Sequence, residues 1–271
     1  MRCFCLWFKF VFVLLSMDIK TILDEQVERI NTRDFIIDDP VQFPHRFSKL
    51  QDIEITAFTT ATIAWGKRSM ILRDADRMLS LMNNAPYDFV MNKGYECLQE
   101  ANVHRTFFQP DLAYMLRGFN AIYSKYNSIN DMVKEMWLSN DSAPAWRLCE
   151  VVRDISFEAN NKQYNSQCFP SNFSNSALKR INLAIKWLVR NDGIVDLGVW
   201  DCIKPSQLYI PLDVHVGNTA RKLNLLNRKS NDRKAVTELT EILKSFNPAD
   251  PVIYDYALFG IGVNGIEIEN L

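Results

Sequence analysis

The sequence predicts an all-α fold, and three observations carry that prediction. Apolar residues recur at spacings of three and four through most of the chain, the pattern of helices with one buried face. No stretch alternates apolar and polar residues as a half-buried strand would. Gly and Pro number only 9 and 10 in 271 residues, few for a strand-rich chain that needs many tight turns. With 48% hydrophobic and 23% charged residues, the chain has an ordinary globular composition and the length to bury a core as one domain or two lobes.

The elements follow in order. Cys3 to Leu15 is apolar and aromatic, broken by Lys9, and too short for a membrane span of about 20 residues. It also lacks a small-residue cleavage site. Residues 1–16 are expected to be a non-globular tail or a mis-assigned start, with translation beginning at Met17 and residues 17–271 forming a single all-α domain. Ile19, Ile22, Leu23, Val27 and Ile30 predict a helix over residues 18–31. After a loop holding Asp38-Asp39-Pro40 and Pro44-His45-Arg46-Phe47, Asp52 is placed to cap a helix apolar on nearly every side, and therefore central. Trp65-Gly66-Lys67-Arg68 interrupts that helix, Met70 to Met82 resumes helical spacing, and Pro86 starts a short helical piece.

His104-Arg105-Thr106-Phe107 lies in a second loop ahead of Gln109-Pro110-Asp111, a helix start with Pro in its first turn. Helical spacing returns over 132–138 and 146–157, and residues 160–175 read as a polar loop. A helix over 177–190, a linker, and a helix capped by Asp213 come next, followed by two closing helices over 234–246 and 251–261. The total is roughly ten helices.

Charge is unevenly spread. The formal net charge is −1, yet Ser176 to Lys234 holds 11 Lys and Arg against 5 Asp, a local excess of six positive charges. A concentrated basic region is how a nearly neutral protein meets a polyanion. On a helical wheel Lys179, Lys186 and Arg190 align on one side, with Leu178, Ile181, Ile185 and Leu188 on another. Those cations suit phosphates; a plainly solvated basic face is the competing reading. Asp213 stands at a helix N-terminus, facing free N–H groups and the positive end of the dipole.

Other chemistries find little support. The six cysteines at 3, 5, 97, 149, 168 and 202 form no Cys-x-x-Cys, which fits free thiols in a reducing cytoplasm. The three histidines, His45, His104 and His215, lie far apart with no His-x-His or His-Glu-x-x-His spacing, so no metal is expected. His45, Arg46, His104 and Arg105 are expected to hold their loops on the core. Neither a nucleophile-elbow Gly-x-Ser-x-Gly nor a phosphate-binding Gly-rich loop occurs, and no cofactor is expected.

Lys179 near a helix start, a linker, then Pro211-Leu212-Asp213-Val214-His215 resembles the helix-hairpin-helix DNA glycosylase superfamily. There a Lys from the hairpin region and an Asp in a Val-Asp-Thr-His-like sequence form the active site. The chain after Met17 also resembles an uncharacterised bacterial family of hypothetical proteins placed near that superfamily. Phe35-Ile36-Ile37-Asp38-Asp39-Pro40, Ala61-Thr62-Ile63-Ala64-Trp65-Gly66, Trp187-Leu188-Val189-Arg190 and Val195-Asp196-Leu197-Gly198 carry this likeness. Archaeal oxoguanine glycosylases are the nearest analogy: they share a long Lys-to-Asp separation, 34 positions here, and a late stretch similar to Asp255-Tyr256-Ala257-Leu258-Phe259. Two departures stand out. The usual hairpin Leu-Pro-Gly-Val-Gly is absent, and Leu183 stands where an aromatic would stack on the base.

The resemblance implies a two-lobed helical fold with the site between the lobes, acting as a monomer on DNA in the cytoplasm, at the nucleoid. It implies excision of a damaged base, with Lys179 as nucleophile and lyase amine and Asp213 as charge-stabilising carboxylate. Trp65, Trp187, Asp255 and Phe259 would line the base pocket. Ser174, Ser176, Arg180, Lys186, Arg190, His215, Arg221, Lys222 and Arg228 would hold the DNA backbone. Two alternatives from other classes are a non-catalytic DNA or nucleotide binder and a metal-dependent helical hydrolase.

Overall fold

Helices dominate residues 19–264, the part of the chain that the computed structural model describes. The expectations for residues 1–16 and Met17 lie outside them. The first helix, α1, spans residues 19–30. It is followed by α2 (Arg33–Ile37), α3 (Leu50–Thr62), α4 (Arg68–Leu81), α5 (Pro86–Met91), α6 (Gln109–Tyr123), α7 (Ile129–Glu135) and α8 (Pro144–Ala159). The chain closes with α9 (Lys179–Val189), α10 (Val214–Lys222), α11 (Arg233–Phe246) and α12 (Tyr254–Asn264). Among the described residues the only strands are β1 (Asn102–His104) and β2 (Phe107–Phe108), an antiparallel hairpin. At three and two residues they are too short to show alternation, so the sequence reading missed them.

Local chemistry sets most helix starts. Pro86 and Pro144 occupy first turns, where a missing N–H costs nothing. Ser128 caps α7 by accepting from Asp131 N–H at 2.9 Å, and Asp232 caps α11 by accepting from Ala235 N–H at 3.1 Å. Asp52 does not cap its own helix, contrary to expectation. It sits in the first turn of α3 and accepts the Tyr87 N–H at 2.7 Å, so it caps α5 across the fold.

Helix α3 is central. Every residue from Ile53 to Thr62 is buried, which matches its all-round apolar character. Two of its four threonines donate back along the helix, Thr59 to the Ile55 carbonyl at 2.7 Å and Thr62 to the Phe58 carbonyl at 2.8 Å, while the buried Thr56 and Thr60 hydroxyls have no partner among the described residues. Helix α9 packs along α3, α6 pairs with α8, and α10 pairs with α12, around one continuous apolar core. The α6–α8 approach depends on Gly118, where a Cβ would lie 2.1 Å from the Ser156 hydroxyl and 3.3 Å from the Ser156 Cα.

One carboxylate joins these layers. Glu54 on α3 is 0% exposed and accepts four hydrogen bonds. The donors are Tyr123 hydroxyl (2.9 Å), Ile129 and Asn130 N–H (2.9 Å each) and Trp200 Nε1 (2.8 Å). The two backbone donors open α7, so the carboxylate also meets the positive end of that helix. Burial outweighs the four donors and pushes the Glu54 carboxyl up to about 7. Between the usual carboxylate range and that value the folded chain holds more protons than the unfolded one. The stability this group contributes is therefore present at low pH and lost as pH rises through about 7. Glu54→Gln, whose amide cannot accept from all four donors, should cost about 2–3 kcal/mol and lower the melting temperature by roughly 5–10 °C. Thermal unfolding followed from pH 5 to 8 should also show the parent losing stability across that range while the variant stays flat.

Candidate functional site

The break between α3 and α4 builds one wall of a cavity. Gly66 takes φ +97°, a conformation that residues with a side chain rarely adopt, so the turn itself calls for glycine. Trp65 is held from below by His104, which is fully buried: the two rings meet edge to face at 4.8 Å. His104 Nε2 donates to the Trp65 carbonyl at 2.8 Å, and Nδ1 lies 2.7 Å from Asp74 Oδ2. Burial would raise Asp74, but the His104 hydrogen bond and Arg73 outweigh it and hold its carboxyl below the usual range.

The opposite wall is the start of α9. Leu178 adopts the left-handed conformation at φ +46°, unusual for a residue with a branched side chain and a local store of strain. Its N–H is received by Ser176 Oγ at 3.2 Å, and the Ser176 carbonyl accepts Trp146 Nε1 at 3.0 Å. That turn sends Lys179 across to α3, where Nζ donates to the Ala64 carbonyl at 2.7 Å. Burial lowers the Lys179 pKa, with Arg180 adding to it, while Asp213, Asp255 and Asp39 pull the other way.

Asp213 closes the cavity from the third side. It caps α10, its Oδ1 accepting Val216 N–H at 2.9 Å, and Asn231 Nδ2 fixes its own carbonyl at 2.9 Å. On the remaining side Lys186 and Asp255 form a buried ion pair at 2.7 Å, their side chains 2% and 11% exposed. The Lys186 ammonium also stands 3.6 Å from the centre of the Tyr256 ring. The enclosed volume is about 1030 Å³, and Lys179, Asp213, Trp65, Trp187, Asp255 and Phe259 all line it. Residues separated by up to 194 positions in sequence thus face one space.

The cations expected on the DNA backbone divide. Arg180 lies over the Trp65 ring at 4.5 Å and donates to the Gln167 carbonyl at 2.8 Å. Ser176 and His215 also line the cavity, His215 being exposed and set edge-on to Phe259 at 6.2 Å. Ser174 is exposed on a single turn at Phe173–Asn175, and Lys222 is exposed at the end of α10. Arg221 and Arg228 tie the α10–α11 connection, Arg221 donating to the Arg228 carbonyl at 2.8 Å and Arg228 pairing with Asp232.

Lys186 and Arg190 correct the sequence reading. The aligned cationic face of α9 turns inward, not to solvent. Arg190 is 1% exposed and is neutralised by Asp192 at 3.1 Å, Asp250 at 2.9 Å and Asp196, so neither it nor Lys186 is free to meet a phosphate. Of the remaining loop residues, His45 Nε2 lies 2.7 Å from the Val195 carbonyl, and Arg46 pairs with Asp76 at 2.6 Å.

Three cavity residues escaped sequence reasoning as site groups. Asp39 and Phe35 were read as parts of one motif, and Arg68 as part of a helix break. No spacing rule links Arg68 to the other two, because they meet only after the turn that follows Asp39 folds against α4. Among the described residues, no group of three or more His, Cys, Asp and Glu is placed to hold a metal ion. Nor, among them, is any helix long and apolar enough to cross a membrane.

The fold and site together define an all-α protein with a half-buried amine and several carboxylates around one cavity. The chain belongs to the family described as "Protein of unknown function (DUF2400)", matching it over residues 39–264. No curated protein and no solved structure matches the chain.

The buried pair beside the cavity gives a stability prediction. Lys186→Met leaves Asp255 uncompensated in the interior and should cost about 3–5 kcal/mol. The double replacement Lys186→Met with Asp255→Leu should recover most of that loss, because it removes both charges together. Denaturant unfolding of the two variants beside the parent gives both values.

Proposed function

We propose that this chain is a DNA glycosylase with an associated lyase activity, using Lys179 as its nucleophile and Asp213 as the carboxylate that stabilises charge on the sugar. The observation that carries the reading is Lys179 itself. It is half-buried at the cavity wall, desolvation there lowers its pKa, and it faces the same cavity as Asp213. An amine must shed its proton to attack, and desolvation is what favours the neutral form. Lys186, the other lysine on the cavity, is committed to Asp255. The left-handed turn at Leu178 adds support, since strain of this kind is found where a side chain must be aimed.

The chemistry runs as follows. A damaged nucleotide leaves the duplex and enters a cavity of about 1030 Å³, ample for a base and its sugar. The free Lys179 amine attacks the sugar C1′, the C1′–N bond breaks, and the base departs with the electron pair and takes a proton. Nζ then loses its own protons as the sugar ring opens, leaving a C1′=N linkage to the enzyme. Asp213, at the N-terminus of α10, lies where its carboxylate can oppose positive charge developing on the sugar. Trp65, Trp187 and Phe259 offer faces for the extruded base. The exposed Ser174, His215 and Lys222, together with Arg221 and Arg228, form the surface offered to the DNA backbone.

Sodium borohydride reduces that linkage to a stable amine, so the covalent complex can be trapped. On duplexes carrying oxoguanine, uracil or an abasic site, the parent should form an adduct that Lys179→Gln abolishes. Asp213→Asn keeps the cap but removes the charge, and should slow trapping by roughly 10²–10³-fold. Trapping should also speed up as pH rises toward a lysine value lower than usual, because the attacking form is the neutral amine. No adduct across the lesion panel, with DNA binding retained, would replace this reading with that of a non-catalytic binder.

A further inference from the structure

One cation on the cavity wall has a use not covered by attack at the sugar. Arg68 opens α4, directly after the Gly66 turn, and its guanidinium faces the same space as Lys179. Its Cζ stands 5.1 Å from the Phe259 ring centre and 5.9 Å from that of Phe35, so a planar cation is held between two aromatic rings. Its Nη2 is buried and has no hydrogen-bond partner. The nearest carboxylate oxygen, Asp39 Oδ2, is 3.6 Å away, close enough to hold the guanidinium by charge but too far for a hydrogen bond. Asp39 is meanwhile fixed by accepting Val41 N–H at 3.0 Å through its other oxygen.

A buried N–H without an acceptor is costly. This one points to an acceptor supplied from the cavity, on something flat enough to lie among aromatic rings. The charges facing Arg68 do not remove the demand. Asp255 is engaged by Lys186, and burial pushes the Asp39 carboxyl up, with the Val41 N–H and Arg68 drawing it back.

We infer that Arg68 is the group that receives the departing base: its guanidinium stabilises the negative charge a heterocycle acquires as the C1′–N bond breaks, and Asp39 is the positioning residue that aims it. The inference rests on the glycosylase reading for the reaction, but it makes a claim of its own. The cavity should bind planar heterocycles that carry an anionic or carbonyl acceptor, and bind the ionised form more tightly than the neutral one. Arginine cannot serve as a proton donor at any ordinary pH, so its contribution is charge and hydrogen bonding to the leaving group, and the proton the base finally takes comes from solvent.

Free bases test this without any turnover. At neutral pH 5-nitrouracil is largely an anion, whereas uracil and thymine are neutral. Calorimetric titration of the parent should show 5-nitrouracil binding at least tenfold more tightly than uracil, with thymine like uracil. Arg68→Met should flatten that preference to within about twofold, Arg68→Lys should retain part of it, and Asp39→Asn should weaken it while keeping the Val41 contact. Circular dichroism of each variant checks that it is folded. On duplex substrates, the loss of trapping rate in Arg68→Met should be largest for the poorest leaving groups and shrink for the most acidic bases, which a merely structural role would not produce.

Equal affinity of the parent for 5-nitrouracil and uracil, binding of neither, or an unchanged preference in folded Arg68→Met each overturn the inference. A clear preference for the anion, abolished by Arg68→Met but with no borohydride adduct on any duplex, upholds the Arg68 site and overturns the glycosylase reading. Adduct formation whose rate loses the same factor in Arg68→Met for every leaving group does the reverse.

Discussion

A carboxylate with no exposure to water is tolerated only when its oxygens are saturated with donors, and this requirement on Glu54 fixes much of the molecule. The donors come from α6, from the first turn of α7 and from Trp200, so α3 cannot slide or rotate without stranding at least one of them. Once the register of α3 is set, so is the position of its last carbonyls. Trp200 N–H in turn donates to the Leu188 carbonyl at 2.8 Å, tying the same hub to the end of α9. The Ala64 carbonyl that receives Lys179 is therefore placed by a charge buried about three helical turns away.

The interior around the cavity is polar by design of its helices. Helix α9 carries Lys179, Lys186 and Arg190 along one side, and each meets a different solution to the problem of a buried cation. Arg190 is neutralised by several carboxylates and Lys186 by Asp255 and the Tyr256 face, whereas Lys179 bonds a backbone carbonyl and feels Asp213, Asp255 and Asp39 only at a distance. The three differ in how far their positive charge is matched by a direct ion pair. That gradient along a single helix singles out Lys179 as the cation without a direct ion pair, and burial lowers its pKa.

Much of the fold was legible. Helical spacing located the long helices because their apolar faces are set by local period, and Pro86, Pro110 and Asp213 marked starts because capping is also local. Lys179 and Asp213 emerged from sequence order and resemblance, and they do face one cavity. What was not legible depends on tertiary placement. The wheel aligned Lys186 and Arg190 correctly but could not say that Asp255, Asp192, Asp196 and Asp250 would fold over them and turn that face inward. Asp52 looked like the cap of its own helix, yet Tyr87, 35 residues on, takes its hydrogen bond. Asp39 and Arg68 come from separate elements and carry no shared spacing, so only the folded chain brings them together.

The two indole rings that line the cavity also make it optically addressable. Trp65 lies beneath the Arg180 guanidinium and edge-on to His104, an imidazole able to quench an excited indole, while Trp187 is buried on the neighbouring wall. Emission from this pair is thus coupled to the contents of the space between them. Above the signal of the chain's four other tryptophans, a change in emission would report a stacked heterocycle without a label or a chemical step.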